Sequence, residues 1–393
     1  MSEEIVTTPR IRWGMVGGGQ GAFIGAVHRM AARLDDQYTL VAAALSSNPQ
    51  RARDSGTSLH LDRDRVYTNY REMAHVEAQR PDGIEVVSIV APNHLHYDAA
   101  CAFLDAGIHV MCDKPLTRTL DEAEALVTRA RESGALFGVS YPYSGYPLVR
   151  HARELVRSGM VGEIRVVQAE YAQDWLADEL EATDQKQAAW RTDPALAGEG
   201  GCVADIGTHA FHLIGFVTGL KAIELSSELT HFVDGRRVDD DAQIRLRFAN
   251  GARGMLWASQ VATGCQNGLK LRVFGTKGGL MFDQEKPDEL WFTPLHGTPQ
   301  RLTRGGAWLG AAAEHATRLP AGHPEGFVEA FGQLYRDMAN QVQALRQGIA
   351  PNPLSLMLPD VVDGANGMKF VDAALRSSRA DGGWVKLETI RPD

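Results

Sequence analysis

The hydrophobic positions of this chain change their period near residue 145. Before that point, short apolar runs alternate with segments in which apolar residues recur every three or four positions. The runs "IRWGMVG", "YTLVAAAL", "GIEVVSIVA" and "IHVM" predict strands, and the first intervening segment predicts a helix from about Gly25 to Leu34. Runs without polar interruption indicate strands buried on both faces, so the alternation predicts a parallel sheet flanked by helices. Thr119 with Glu122 three residues later forms a capping box, Leu120, Ala123, Val127 and Ala130 follow at helical spacing, and Gly134 ends the segment.

Beyond residue 160 the period approaches two. "EIRVVQAEY" and "AQIRLRFAN" alternate apolar with polar residues, and Asn250-Gly251 between two such runs predicts a hairpin. "LKLRVFGTKGGLMF" predicts a second strand pair, whereas residues 296 to 323, rich in Gly, Ala and His, read as a long loop. The predicted fold class is therefore α/β, with a dinucleotide-binding domain over residues 1–145. A second α/β domain over residues 146–393 is built on a large open, mainly antiparallel sheet with one face covered by helices.

Composition narrows the function classes. The net charge of -9 and the lack of any basic stripe with interleaved aromatics argue against nucleic acid as a partner. The opening "MSEEIVTTPR" has no basic stretch followed by an apolar core, and no apolar run has membrane-spanning length. Cys101, Cys112, Cys202 and Cys265 lack metal-ligand spacing and read as small buried hydrophobes, with no metal expected; a cytoplasmic location fits best.

The candidate chemistry lies where the predicted strands end. "MVGGGQGAFIG" follows the first strand and opens a helix, a setting in which glycines let the backbone approach a pyrophosphate and the helix amides meet its charge. Gly17, Gly19, Gln20, Ala22, Phe23 and Ile24 are the candidate cofactor contacts, with the third glycine position filled by Ala22 or by Gly25. After the second strand, Ser46, Ser47 and Asn48 offer neutral hydrogen bonds where an acidic residue would hold a ribose. Arg51 could neutralise a 2'-phosphate, so NAD and NADP both stay open. "PNHLH" after the third strand places Pro92, Asn93 and His96 at the same sheet edge. Lys114 follows the fourth strand, and Pro115 biases it towards an extended backbone. Farther on, Asp205 and His209 are four residues apart, which on a helix puts a carboxylate and an imidazole on one face, with His212 on a nearby face as a structural residue.

Taken in order, "MVGGG", "APNHLHYDAA", "AGIHVMCDKPLT", "WRTDP" and "GGCVADIGTHAFHL" resemble the glucose-fructose oxidoreductase, inositol dehydrogenase and rhizopine catabolism family, Gfo/Idh/MocA, over nearly the whole chain. The longer glycine loop resembles that of one subgroup. The resemblance implies an NAD(P)-dependent oxidoreductase acting on a secondary hydroxyl of a sugar or cyclitol, inositol-like or hexose-like. Lys114 then resembles the lysine that reaches substrate hydroxyl and nicotinamide ribose, and its bond to Pro115 is expected to be cis. His209 resembles the general base or acid, and Asp205 the residue that orients the substrate and tunes the histidine. Asp113 stands where the family usually has Glu, and the resemblance implies that it is a further cofactor contact.

Tyr141, Tyr143, Gln173, Trp190, Arg191 and His323 are the candidates for lining the substrate pocket, because aromatics stack on sugar rings and arginine binds hydroxyls or acids. Relatives pair through the open sheet, so a homodimer or homotetramer is expected. Two other readings use the same fold: an NAD-dependent glycoside hydrolase working by transient oxidation, and a non-catalytic nucleotide-binding regulatory protein.

Overall fold

The structure, a computed structural model, describes residues 9–183 and 185–390; the first eight residues, read above for a secretory signal, lie outside it. Five strands form the first sheet: β1 (Ile11–Gly17), β2 (Tyr38–Ala44), β3 (Val86–Val90), β4 (His109–Cys112) and β5 (Phe137–Val139). Their order is β2-β1-β3-β4-β5 and every pairing is parallel. The chain leaves β1 towards one side and returns to β3 on the other, so a crevice opens beyond the carboxyl ends of these two strands.

Both faces of this sheet are covered, as uninterrupted apolar strands require. Helix Phe23–Arg33 buries Val27, Ala31 and Ala32 against Ile11, Trp13 and Met15, and helices Tyr70–Gln79, His96–Asp105 and Leu120–Ser133 cover the other face. The expected first helix thus begins two residues early, and its N-cap Ala22 has no side-chain cap bond. The capping box at Thr119 and Glu122 is formed, and Gly134 closes that helix in the left-handed region with φ 66°. Helix Phe327–Gln347, which follows the second sheet in sequence, returns to pack Phe331, Leu334, Tyr335 and Met338 against β1 and the first helix.

Nine strands form the second sheet: β6 (Ile164–Ala172), β7 (Ala222–Thr230), β8 (Asp241–Phe248), β9 (Arg253–Ser259), β10 (Gly268–Gly275), β11 (Gly278–Asp283), β12 (Glu289–Pro294), β13 (Gln300–Thr303) and β14 (Val385–Lys386). They run in the order β13-β12-β11-β10-β6-β9-β8-β7-β14, antiparallel except for the β6/β9 pair. The Asn250-Gly251 hairpin joins β8 and β9 with Gly251 at φ 89°, where a side chain would be strained. Helices Pro147–Arg157 and Thr208–Thr218 cover one face, while Val166, Met255, Phe274, Met281 and Trp291 stand exposed on alternate residues of the other.

Two expectations need correction. The segment 296–323 is not one loop, because it contains β13 and the helix Ala311–Ala316, whose Ala312, Ala313 and Ala316 are buried. Short alanine-rich turns carry too few large apolar residues to show a period. Only Cys112 and Cys202 are buried; Cys101 and Cys265 are half-buried, and all four are free thiols. Among the described residues no helix is long and apolar enough to cross a membrane.

Candidate active site

A cleft of about 1270 Å³ runs along the carboxyl edge of the first sheet and under the second. A site for one drug-sized molecule spans roughly 300–1000 Å³, so this cleft has room for two ligands end to end. One end is lined by the glycine loop with Leu45, Ser46, Arg51 and Ser55, and the other by Lys114, Tyr143, Gln173, Trp190, Arg191, Asp205 and His209.

The glycine loop is built for close backbone approach. A Cβ on Gly17 would meet the carbonyl oxygen of Val90 at 2.4 Å, and one on Gly25 would meet the Gly18 backbone at 2.3 Å. Gly25, not Ala22, therefore fills the third glycine role of packing helix against loop. Gly21 has φ 81° and open space where its Cβ would be, and Gln20 N donates to Ser55 Oγ at 3.3 Å. The N-cap Ala22 offers no side-chain bond to the helix start, a setting in which the first helical amides suit an anion. These features fit a dinucleotide diphosphate, with Gln20, Ala22, Phe23 and Ile24 also along the cleft.

At the end of β2 the residues divide. Ser46 and Arg51 line the cleft, but Ser47 does not: Asn48 caps the helix Pro49–Ser58 by accepting from Gln50 N and Arg51 N, each at 3.0 Å, and the turn this imposes leaves Ser47 exposed. Pro92, Asn93 and His96 line the cleft at the end of β3, although Asn93 Nδ2 is committed to the Ala197 carbonyl at 2.8 Å. The His96 ring nitrogens lie 3.0 Å from Pro115 O and 2.8 Å from Ala91 O, so this buried residue braces the Lys-Pro turn from beneath.

Lys114 sits beyond β4, and its bond to Pro115 is cis. Its Nζ donates to the Asp205 carbonyl at 2.5 Å and to Asp205 Oδ1 at 2.9 Å. Asp205 Oδ2 accepts from Gln260 Nε2 at 2.8 Å and lies 3.7 Å from Arg191 Nε. Burial alone would raise the Asp205 carboxyl, but the Lys114 ammonium and then the Arg191 guanidinium outweigh it and hold the pKa well below the usual carboxylate range.

The segment carrying Asp205 is a turn of π-helix, Val203–Gly207, rather than the start of a plain α-helix; the α-helix Thr208–Thr218 follows and carries His209. Widened turns of this kind recur at functional sites because they re-aim one side chain without ending the helix. Burial first, and then the Lys114 ammonium, push the His209 pKa well below its ordinary value, with Asp205 opposing. His209 is therefore a neutral imidazole near pH 7. Its buried Nδ1 has no hydrogen-bond partner among the described residues, and the His209 side chain lines the cleft.

Tyr143 meets the His209 ring edge-on at 4.9 Å, and its hydroxyl bonds to that of Tyr171, which donates to Asn267 Oδ1 at 2.7 Å. Gln173 Nε2 donates to the same oxygen at 2.8 Å, and Arg191 stacks on Trp190 at 4.3 Å. Tyr171, Trp175, Asn267 and Phe327 line the cleft without having been singled out in the sequence. An alternating strand pattern says that Tyr171 is buried, but nothing local says that it faces a ligand.

Two expected pocket residues lie elsewhere. Tyr141 is buried beneath the cleft, edge-on to His209 at 5.6 Å and stacked on His212 at 4.2 Å, so it backs the histidine instead of meeting a substrate. His323 is an exposed loop residue whose carbonyl is held by Arg304, and Phe327 takes the place in the cleft that it was expected to fill.

The oxidoreductase family described by its NAD-binding Rossmann fold matches residues 11–141, and the GFO/IDH/MocA C-terminal domain matches residues 149–281. The oxidoreductase YfiI of Bacillus subtilis (strain 168) is 35% identical over 98% of this chain and 99% of its own. The crystal structure of an oxidoreductase from Sinorhizobium meliloti has a TM-score of 0.88 at 50% identity, covering 96% of this chain and 100% of that one. An inositol dehydrogenase homolog from Azotobacter vinelandii, complexed with NADH and myo-inositol, has a TM-score of 0.89 at 35% identity, covering 96% of this chain and 98% of that one.

Proposed function

The chain belongs to the Gfo/Idh/MocA family of NAD-binding oxidoreductases, and from that premise we propose that it oxidises a secondary hydroxyl of a sugar or cyclitol, inositol-like or hexose-like. The observation that carries this reading is the meeting of Lys114, Asp205 and a neutral, buried His209 at one end of a two-ligand cleft. The bound nicotinamide supplies the hydride acceptor. A secondary alcohol gives up hydride readily only as its hydroxyl proton leaves, so a base within hydrogen-bond reach contributes roughly 10²–10⁴-fold. His209 Nε2 takes that proton. Lys114 places a cation beside the developing alkoxide, and Asp205 holds the ammonium in position from two acceptor atoms. In the reducing direction the same groups return the proton.

The polar rim suits a polyol. Tyr143, Tyr171, Gln173 and Asn267 present hydroxyl and amide groups at one wall, and the Trp190 ring with Arg191 stacked on it offers a flat surface at another. Absorbance at 340 nm, with NAD or NADP and a panel of inositols, hexoses and glycosides, tests the proposal. Growth of reduced cofactor with one polyol supports it; glycoside cleavage without that growth would mean a recycled nicotinamide, and inertness to the whole panel with both cofactors would favour a regulatory role.

The open face of the second sheet supports a homodimer or homotetramer. Met255 is 59% exposed and Met281 45%, on the same sheet face as Val166, Phe274 and Trp291, and large apolar side chains on a face that no helix covers suit a partner surface. Light scattering at micromolar concentration is expected to give a dimer or tetramer, and a monomer would remove this part of the proposal.

A further inference from the structure

A chain of buried hydrogen bonds runs from the core of the first domain into the cleft. Trp13 Nε1 donates to Ser88 Oγ at 2.8 Å, Ser88 Oγ lies 2.7 Å from the Tyr335 hydroxyl, and that hydroxyl lies 2.6 Å from His28 Nδ1. His28 Nε2 then lies 3.0 Å from Asp113 Oδ1. Trp13, Ser88, Tyr335 and His28 are all essentially solvent-free, whereas the Asp113 side chain is 14% exposed at the cleft.

Counting protons fixes the direction of this chain. The indole can only donate, so Ser88 accepts from it and has one hydrogen left to give. If Ser88 donates to Tyr335, and Tyr335 to His28 Nδ1, then Nδ1 accepts and the His28 proton sits on Nε2, which donates to Asp113. Every hydrogen is then used. In the opposite sense the Ser88 hydrogen has no acceptor among the described residues, and His28 needs protons on both nitrogens.

We propose that His28 is a positioning residue for the cofactor: by holding Oδ1 of Asp113 it turns Oδ2 into the cleft as an acceptor for a hydroxyl of the nicotinamide-side ribose. Tyr335 sets the tautomer that makes this possible. The placement supports the assignment. Asp113 Oδ2 has no partner among the described residues, and Asp113 lies beside Lys114 at the end of β4, away from the Ser46 and Arg51 end of the cleft. His28 stands on the helix that the glycine loop opens, so one element carries the diphosphate cradle and the support for Asp113. Tyr335 comes from the returning helix Phe327–Gln347, which makes this helix part of the cofactor site although its hydroxyl never reaches the cleft. The inference rests on the cofactor half of the reading above and is independent of which polyol is oxidised.

The test is calorimetric titration of the full-length chain with NAD and, separately, with ADP, which lacks the nicotinamide ribose. Wild type is compared with Tyr335→Phe, His28→Leu and His28→Gln, each checked for fold by circular dichroism. Loss of one net hydrogen bond corresponds to roughly fivefold in affinity, so Tyr335→Phe and His28→Leu are expected to raise the Kd for NAD about fivefold or more while leaving that for ADP within about twofold. His28→Gln, whose amide can still donate to Asp113, is expected to lie nearer wild type. Equal weakening of NAD and ADP would show a purely structural network and overturn the proposal. So would an unchanged Kd for NAD in a folded Tyr335→Phe, and that variant decides the matter should His28→Leu not fold. No polyol is present, so this outcome is separate from that of the dehydrogenase assay.

Discussion

Lys114, just beyond β4 of the first sheet, and Asp205, in the π-helical turn Val203–Gly207, are far apart in sequence and joined twice: the lysine ammonium donates to the aspartate's carbonyl at 2.5 Å and to its carboxylate at 2.9 Å. The double attachment removes the freedom that a lysine stem ordinarily keeps. It also places a cation within the field of His209, where it helps to keep the imidazole neutral.

Lys114→Ala is expected to lower turnover by about 10²–10³-fold, the range associated with removing one preorganised electrostatic contact. Circular dichroism should remain that of wild type, because the side chain is at the cleft and not in a core. Near-normal turnover would refute the role given to Lys114.

The pH profile of kcat/KM for polyol oxidation follows from His209. A base must be neutral to accept a proton, and burial with Lys114 pushes this imidazole well below its ordinary range, so the rate is expected to be level from pH 6.5 to 8 as far as this group decides it, and to fall only at lower pH. An acid limb centred at pH 6.5 to 7 would show that His209 is not held neutral.

His212 makes a separate prediction for stability. Burial first, and then Arg153, lower its pKa to about 3, so between pH 6.5 and about 3 the unfolded chain takes up a proton that the folded chain does not. Stability is therefore present at neutral pH and lost as pH falls, by up to about 1.4 kcal/mol per pH unit from this group. Thermal melts from pH 7 to 4 should show a shallower decline in His212→Phe, which keeps the stack on Tyr141. The comparison with wild type separates this effect from Asp239, Asp360 and Asp363, whose raised pKa values act in the opposite direction.

Gly25→Ala would place a Cβ 2.3 Å from the Gly18 carbonyl oxygen and 2.4 Å from its Cα. The loop must shift to accept it, at a cost of about 1–3 kcal/mol, and the Kd for NAD is expected to rise roughly tenfold or more. Titration calorimetry measures this directly; unchanged binding would mean that the loop does not hold the diphosphate.

Tyr171→Phe removes the hydroxyl that joins Tyr143 to Asn267. We expect the KM for the polyol to rise by about threefold to tenfold, the effect of one or two lost hydrogen bonds, with the KM for NAD unchanged. A shift in the cofactor KM alone would place Tyr171 at the wrong end of the cleft.

The sequence by itself determined the parts whose cause is local. Uninterrupted apolar strands against alternating ones separated the parallel sheet from the largely antiparallel one, because the number of buried faces sets the period. The glycine loop, the capping box at Thr119 and Glu122, the hairpin at Asn250 and Gly251, and the pairing of Asp205 with His209 four residues on are likewise written in residues close together along the chain. Tertiary structure decided everything that depends on which way a side chain turns between distant segments. Tyr141 and Tyr143 are two residues apart and chemically alike, yet one backs His209 from beneath and the other lines the cleft. Ser47 was turned outward by the cap at Asn48, and His323 by the arginine that holds its carbonyl. Asn267 and Tyr171 meet only because β10 pairs with β6, and Tyr335 reaches His28 only because a late helix returns to the first sheet. Periodicity reports the surroundings a few residues away; the end of this cleft where Lys114, Asp205 and His209 meet is an arrangement of segments that only packing brings within hydrogen-bond distance.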